Sequence, residues 1–377
     1  MKVSCLQENL ARGLSTVSRA VATRSVLPVL GNILVSTEEG RLKLSATNLE
    51  MGISCWIGAK IEQEGSTAVP ARTFVDFVNT LPNDQISLVL DTRRLALKLR
   101  CAAFSSEIKC MEAQEFPLLP TSGPGEGIAL NVQDLRQMIA QVGMAAATDD
   151  TRPVLTGVLV RAEGEQLTLA AADGFRLSVR TAKLSAPLRE ALQVIVPARA
   201  LNELARLLAD GEETIWMFLP AGRGQVIFRL KDEELSSSLI DGTFPDYQPI
   251  IPKKYATRSV LATSQFLKAC KAVDIFARQS SHSARVRITP GGEAQPGSLE
   301  VKATAAETGE GESVVEASIE GEPLEIAFNV KYLLDVLNVV NTPNVALETT
   351  GQASPGVVRP VGGDEFVHVI MPMHLGR

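Results

Sequence analysis

The residues of this 377-residue chain that could do chemistry are few and scattered. Three histidines, His282, His368 and His374, stand in unrelated contexts, without an HExxH pattern or the Cys/His spacing of a zinc site. Asp149 and Asp150 are adjacent carboxylates of a kind that can hold a divalent cation, yet adjacent acids in a loop are far more often simply solvated. Five cysteines, Cys5, Cys55, Cys101, Cys110 and Cys270, are odd in number and form no CxxC pair, which reads as reduced thiols rather than a disulfide framework. The sequence holds no GxxxxGKS/T, GxGxxG or GxSxG, so phosphate-loop, dinucleotide and serine-hydrolase readings have no support. The expectation is a protein that is not an enzyme and carries no cofactor and no metal.

What recurs instead is charge at fixed positions. The segment VPARTFVDFVNTL from Val69 returns as VPARALNELARLL from Val196 and as FNVKYLLDVLNVV from Phe328, at offsets of 127 and 132 residues. Each copy carries a basic residue at one position (Arg72, Arg199, Lys331) and an acid four residues later (Asp76, Glu203, Asp335). LPVLGNILV from Leu27 is likewise echoed by RPVLTGVLV from Arg152, and a degenerate ARVRI at Ala284 stands where a third copy belongs. Solenoid units run to about 20–50 residues, so a period this long means domains with their own cores. Proline and glycine gather at EFPLLPTSGPGEG (Glu115 to Gly127) and DGTFPDYQPIIPKK (Asp241 to Lys254), which divides the chain into similar domains at 1–122, 128–252 and 256–377.

The elements that must position these charges are amphipathic helices. Gln7 to Ala22, Val132 to Ala147 and Thr263 to Arg278 each repeat apolar residues at helical spacing, with Leu10, Leu135 and Leu267 at one shared position. The recurrent segments supply a second helix per unit, over 71–81, 198–209 and 331–340, the first two entered through Pro70 and Pro197. Alternating runs such as RLKLSA at Arg41, QLTLAA at Gln166, SLEVKA at Ser298, RRLALKLR at Arg93 and QVIFRL at Gln225 read as strands with one buried face. GGEAQPGS (Gly291 to Ser298) and TGEGES (Thr308 to Ser313) read as turns. The fold class is α+β, with helices on one side of antiparallel sheets.

The net charge of −6 is the wrong sign for a simple nucleic-acid binder. Counted by element the picture changes, because the six helix segments together carry +4 and the remainder −10. Helices gathered on one side would present a mildly positive face to a polyanion while an acidic remainder keeps the protein dispersed. The competing reading of Arg72 and Asp76 is a local i,i+4 ion pair on any solvated helix. The N-terminus MKVSCLQENL lacks the apolar run of a signal peptide, and no stretch approaches the roughly 18 apolar residues of a membrane span, so the expected location is cytoplasmic, without membrane contact.

The chain resembles the bacterial DNA polymerase III beta subunits, the sliding clamps, through LPVLGN (Leu27 to Asn32), TNLEMGI (Thr47 to Ile53), VPAR (Val69 to Arg72), ADGFRL (Ala172 to Leu177), VIVPAR (Val194 to Arg199), DGTFPDY (Asp241 to Tyr247), FNVKYLLDVL (Phe328 to Leu337) and VIMPMHL (Val369 to Leu375). The resemblance implies three clamp domains per chain and a ring-shaped homodimer, with helices lining a hole around duplex DNA and sheets forming the outer wall. Carried over position by position, it makes Arg24, Arg72, Arg136, Arg199, Lys268 and Lys331 the DNA-facing residues, with Arg12, Arg206 and Lys271 beside them. It implies a partner-peptide pocket lined by Leu155, Ala172, Gly174, Phe175, Arg176, Leu177, Pro245, Pro249, Ile250, Val369, Met371, Pro372, Met373 and Leu375. It sets Ile108 and Phe276 at the dimer interface.

The implied partners are duplex DNA read without sequence preference, the polymerase III catalytic subunit, the clamp loader, and other polymerases and repair proteins carrying short linear motifs. Departures from the family pattern are Phe175 where His or Tyr is common, Gln248 and Pro249 where basic residues often sit, His374 for Arg, and Ser106 for a large apolar residue. The alternative is a clamp-like peptide-binding scaffold, or a duplicated, drug-tolerant clamp copy that does not serve bulk replication. Good peptide binding without polymerase processivity would mark that alternative.

Overall fold

A computed structural model describes residues 1–24, 26–122, 127–208, 212–220, 222, 224–292 and 295–374. Six helices form: α1 (Gln7–Val17), α2 (Ala71–Asn79), α3 (Val132–Gly143), α4 (Ala198–Leu207), α5 (Thr263–Ala277) and α6 (Val330–Leu337). They stand where periodicity places them but stop earlier; α1, for example, tightens into a 3-10 turn over Ser18–Ala20. One face of each is buried, through Leu10, Leu14 and Val17 in α1, Phe74 and Val78 in α2, Phe266, Cys270 and Val273 in α5, and Leu333 and Val336 in α6. Burying such a side chain contributes about 1.5–3 kcal/mol, so packing rather than intrinsic propensity holds helices this short. Pro70 sits at the N-cap of α2, one residue ahead of the helix. At the same place in the third copy stands Asn329, whose Oδ1 accepts a hydrogen bond from Lys331 N at 3.0 Å.

The described residues form two compact units, 1–132 with 199–239 and 133–198 with 240–377. The first unit holds two antiparallel sheets. Its five-stranded sheet runs Lys60–Gln63, Lys2–Leu6, Gln85–Asp91, Ala96–Cys101, Phe104–Lys109. Its eight-stranded sheet runs Ile128–Asn131, Thr214–Phe218, Gln225–Arg229, Glu233–Ser238, Met51–Ile57, Arg41–Thr47, Asn32–Glu38, Ser66–Pro70. Helix α1 packs closely on it at Gly13, where a Cβ would fall 2.9 Å from Leu44 Cδ1 and 3.1 Å from Cys55 Sγ. A larger residue there would push these side chains aside.

The second unit is built on a ten-stranded antiparallel sheet that starts with the hairpin Gly157–Ala172 and Arg176–Pro197 and ends at Leu324–Asn329. Helices α5 and α6 cover a core of Phe266, Val273, Val286, Val301, Phe328, Leu333 and Leu347. The segment Thr308–Ser313 corrects the sequence reading. It is not a turn, because Gly309–Gly321 is one long strand, and only Ala306–Thr308 turn. Gly311 marks a close approach, since a Cβ there would run into the Phe276 ring, whereas Gly309 takes a φ of +99°. All five cysteines are free. Burial pushes the Cys5 and Cys55 thiols up to about 12, which keeps them protonated and unreactive.

Candidate functional site

Within the second unit, the turn between the paired strands Gly157–Ala172 and Arg176–Pro197 lies beside the C-terminal strand Phe366–Ile370. Arg176, Leu177 and Ser178 pair with Ile370, Val369 and His368. Met371 N donates to Phe175 O at 2.8 Å, and Met373 N donates to Ala327 O at 2.8 Å, which fixes both methionines beyond the strand end. Leu155, Leu177 and Val369 are buried together with Leu159, Ala170, Ile195 and Phe244, and Ala172, Tyr247 and Ile251 pack against them. Above this apolar floor Phe175 is 62% exposed, Ile250 42% and Met371 40%. Gly174, Pro245 and Pro249 are exposed, while Pro372 and Met373 are half-buried. Leu375 lies outside the described residues. The structure thus brings Leu155, Ala172, Leu177 and Val369 together from distant segments, and it adds Phe244, Tyr247 and Ile251, for which the stretch FPDYQPII was the available signal.

The turn itself is fixed by charge. Asp173 Oδ1 accepts from Phe175 N at 2.8 Å and from Arg176 N at 3.0 Å, an Asx turn that carries Gly174 at φ +92°. Arg152 donates through Nη2 to Asp173 O at 2.7 Å, and its guanidinium lies 2.9 Å from where a Cβ on Gly174 would be. Arg176 is a strut rather than a surface group, with a side chain only 10% exposed. Its Nε meets Asp173 Oδ2 at 3.0 Å, its Nη1 meets Asp335 Oδ2 on α6 at 2.5 Å, and its guanidinium lies 4.3 Å from the centre of the Tyr332 ring. These contacts tie the turn to α6 from two sides. Beneath it His368 is fully buried, its Nδ1 2.6 Å from Ser178 Oγ. Burial, and secondarily the Arg176 charge, pushes the His368 imidazole down to about 3, so it is neutral at physiological pH.

The first repeat writes the same turn in the first unit. Asn48 Oδ1 accepts from Glu50 N at 3.1 Å and Met51 N at 2.8 Å around Leu49 at φ +77°. Leu30, Leu34 and Phe116 occupy the places of Leu155, Leu159 and Phe244 by repeat position, but Gly52 stands for Leu177 and Ser236, its pairing partner, for Val369. The chain fills the gap itself. Leu119 packs on this cluster with Cδ2 2.6 Å from where a Cβ on Gly52 would be, leaving a space of about 60 Å³.

The recurrent cations share an exposed setting but not the same partners. Arg72 pairs with Asp76 at 3.8 Å, both largely in water, a contact worth a few tenths of a kcal/mol, ~0.3–0.5. In the second copy Glu203 turns instead to Arg206 at 2.7 Å and Arg19 at 3.6 Å, and in the third Asp335 turns to Arg176. Among the described residues Arg199 and Lys331 therefore hold no ion pair. Arg12, Arg24, Arg206, Lys268 and Lys271 are exposed, and Arg136 is half-buried. The local-pair reading of the repeat fits the first copy alone.

Ile108 is buried in Phe104–Lys109, the last strand of the five-stranded sheet, which among the described residues pairs only with Ala96–Cys101. Phe276, on α5, rests over Gly311. The strand carrying Gly311 pairs with Gly297–Ala305 over residues 309–317 and with Thr257–Val260 over 318–321, so its first half is open on one side among the described residues.

Repeated helix-and-sheet units with unpaired helix cations and an apolar groove define a binding subunit. Sequence models of the DNA polymerase III beta subunit match nearly all of the chain: the N-terminal domain over residues 1–120, the central domain over 129–246 and the C-terminal domain over 248–374. A beta sliding clamp of Synechococcus elongatus is 33% identical over 380 residues, covering all of both chains, and that of Bacillus subtilis is 29% identical over 383 residues, covering 99% of each. Among solved structures, a DNA polymerase sliding clamp from Bacillus subtilis superposes with a TM-score of 0.93 at 27% identity over all of both chains. The DNA polymerase III subunit beta of Pseudomonas aeruginosa superposes with a TM-score of 0.91 at 29% identity, again over all of both chains. The chain belongs to the DNA polymerase III beta subunit family.

Proposed function

We infer that this chain is a DNA sliding clamp, a processivity subunit without catalytic work of its own. Two copies, each of three domains at 1–122, 128–252 and 256–377, would close head to tail into a ring around duplex DNA. Closure would join the open edge at Ile108 of one copy to the open half-strand beside Phe276 and Gly311 of the other, removing two exposed sheet edges. The observation that carries the reading is the diversion of Glu203 and Asp335 away from Arg199 and Lys331, which leaves helix cations available to phosphates. With Arg24, Arg72, Arg136 and Lys268 they make a weak, sequence-independent contact that slides and does not read bases.

The groove at Phe175, Ile250 and Met371 would take short apolar motifs from the replicative polymerase, the clamp loader, and other polymerases and repair proteins in the cytoplasm. Flexible methionines at its rim can repack around different peptides. No helix among the described residues is long and apolar enough to cross a membrane. Reversing Arg24, Arg72 and Arg199 to glutamate tests the DNA-facing assignment. The variant should fold, since all three are exposed, while primer extension with loader and polymerase falls to the product lengths seen without clamp. Undiminished product length would overturn the assignment.

A further inference from the structure

The basic and acidic residues of the repeated segment are four apart, which puts them on one helix face within reach of each other. Where nothing intervenes they meet, as Arg72 and Asp76 do at 3.8 Å. On α6 they are kept apart by a residue from elsewhere in the sequence. Arg176, at the end of the groove's turn and 159 positions away from Asp335, takes that carboxylate at 2.5 Å. The contact is sheltered, with the arginine side chain 10% exposed, whereas a Lys331–Asp335 pair would lie in water, so Arg176 wins the competition. Asp173 and the Tyr332 ring hold the guanidinium in place from the other sides.

We propose that Arg176 is a positioning residue for DNA contact: by holding Asp335 it keeps Lys331 free for a phosphate, and so links the partner groove to the charge of the DNA-facing helix. Arg176 follows Phe175 directly, and Phe175 O accepts from Met371 N, so the strut begins at the groove's rim. A peptide that pulls the turn away from α6 releases Asp335 to neutralise Lys331 and loosens the grip on DNA. One that presses the turn down preserves it.

The inference rests on Lys331 facing DNA, and the test separates the two. Binding of the full chain to a fluorescein-labelled duplex is followed by anisotropy across a low-salt series, and the slope of log K against log salt is compared among variants. Lys331→Gln should flatten the slope by about 0.9 for each phosphate that the lysine would otherwise neutralise. Arg176→Gln should flatten it in the same direction but by less, because an exposed Lys331–Asp335 pair is weak, although it leaves every DNA-facing lysine and arginine in place. Arg176→Gln combined with Asp335→Asn should restore the original slope, because no acid remains to neutralise Lys331. Misfolding of the Arg176 variant cannot mimic that rescue. If Lys331→Gln leaves the slope unchanged, the DNA-facing reading of Lys331 fails. If Lys331→Gln flattens it and Arg176→Gln does not, or Asp335→Asn fails to rescue, the proposed link is overturned.

Discussion

Acid should weaken this protein through one identifiable residue. In the unfolded chain His368 titrates near its ordinary value of 6.5, whereas in the folded chain burial against Ser178 and the charge of Arg176 hold it down to about 3. Between those values the unfolded state takes up a proton that the folded state refuses, so stability is complete above 6.5 and falls as pH drops below it. Each pH unit in that window costs about 1.4 kcal/mol, which makes a total of about 2 kcal/mol near pH 5. The substitution His368→Gln keeps a side chain able to bond Ser178 and removes the titration. Urea unfolding of wild type and variant at about pH 7.5 and about pH 5 gives four free energies, and other titrating groups cancel in the double difference. The wild type should lose about 2 kcal/mol more than the variant on acidification. Equal losses would refute the claim that His368 is kept neutral by burial.

Two further outcomes probe the surfaces. Replacing Met371 and Met373 with alanine removes apolar contact at the groove rim and should weaken a bound partner peptide at least tenfold, about 1.4 kcal/mol, with the oligomer unchanged by sedimentation; unaltered affinity would remove the pocket assignment. Phe104→Asp places a charge on an exposed apolar side chain of the open edge strand and should shift the sedimenting species from dimer to monomer, while a persistent dimer would place the interface elsewhere.

Much of the architecture was legible in the sequence because it is written three times. Leu10, Leu135 and Leu267 mark one helix face in each copy, and recurrence separates that signal from chance periodicity. The family motifs likewise led to the groove, since ADGFRL, FPDY and VIMPMHL converge there. Long-range partnerships were not legible. Nothing local shows that Asp335 bonds Arg176 rather than Lys331, or that Leu119 fills the volume over Gly52, because each depends on segments brought together only by the fold. Thr308–Ser313 was misread for a related reason. Its glycines suggest a turn by composition, but Gly311 is small so that Phe276 can lie over a continuous strand. The covering of Arg176 was not legible either: its side chain is nine-tenths covered because Asp173 on its own turn and Tyr332 and Asp335 on α6 enclose it.

The central claim is that the chain encircles DNA, and retention on closed DNA tests it most directly. The protein is loaded onto nicked circles by its clamp loader, the salt is raised until phosphate contacts are screened, and half of the sample is then linearised. A closed ring stays on the circles and runs off the linear ends. Equal loss from circular and linear DNA would mean that charge alone had held it there, and the clamp account would fall.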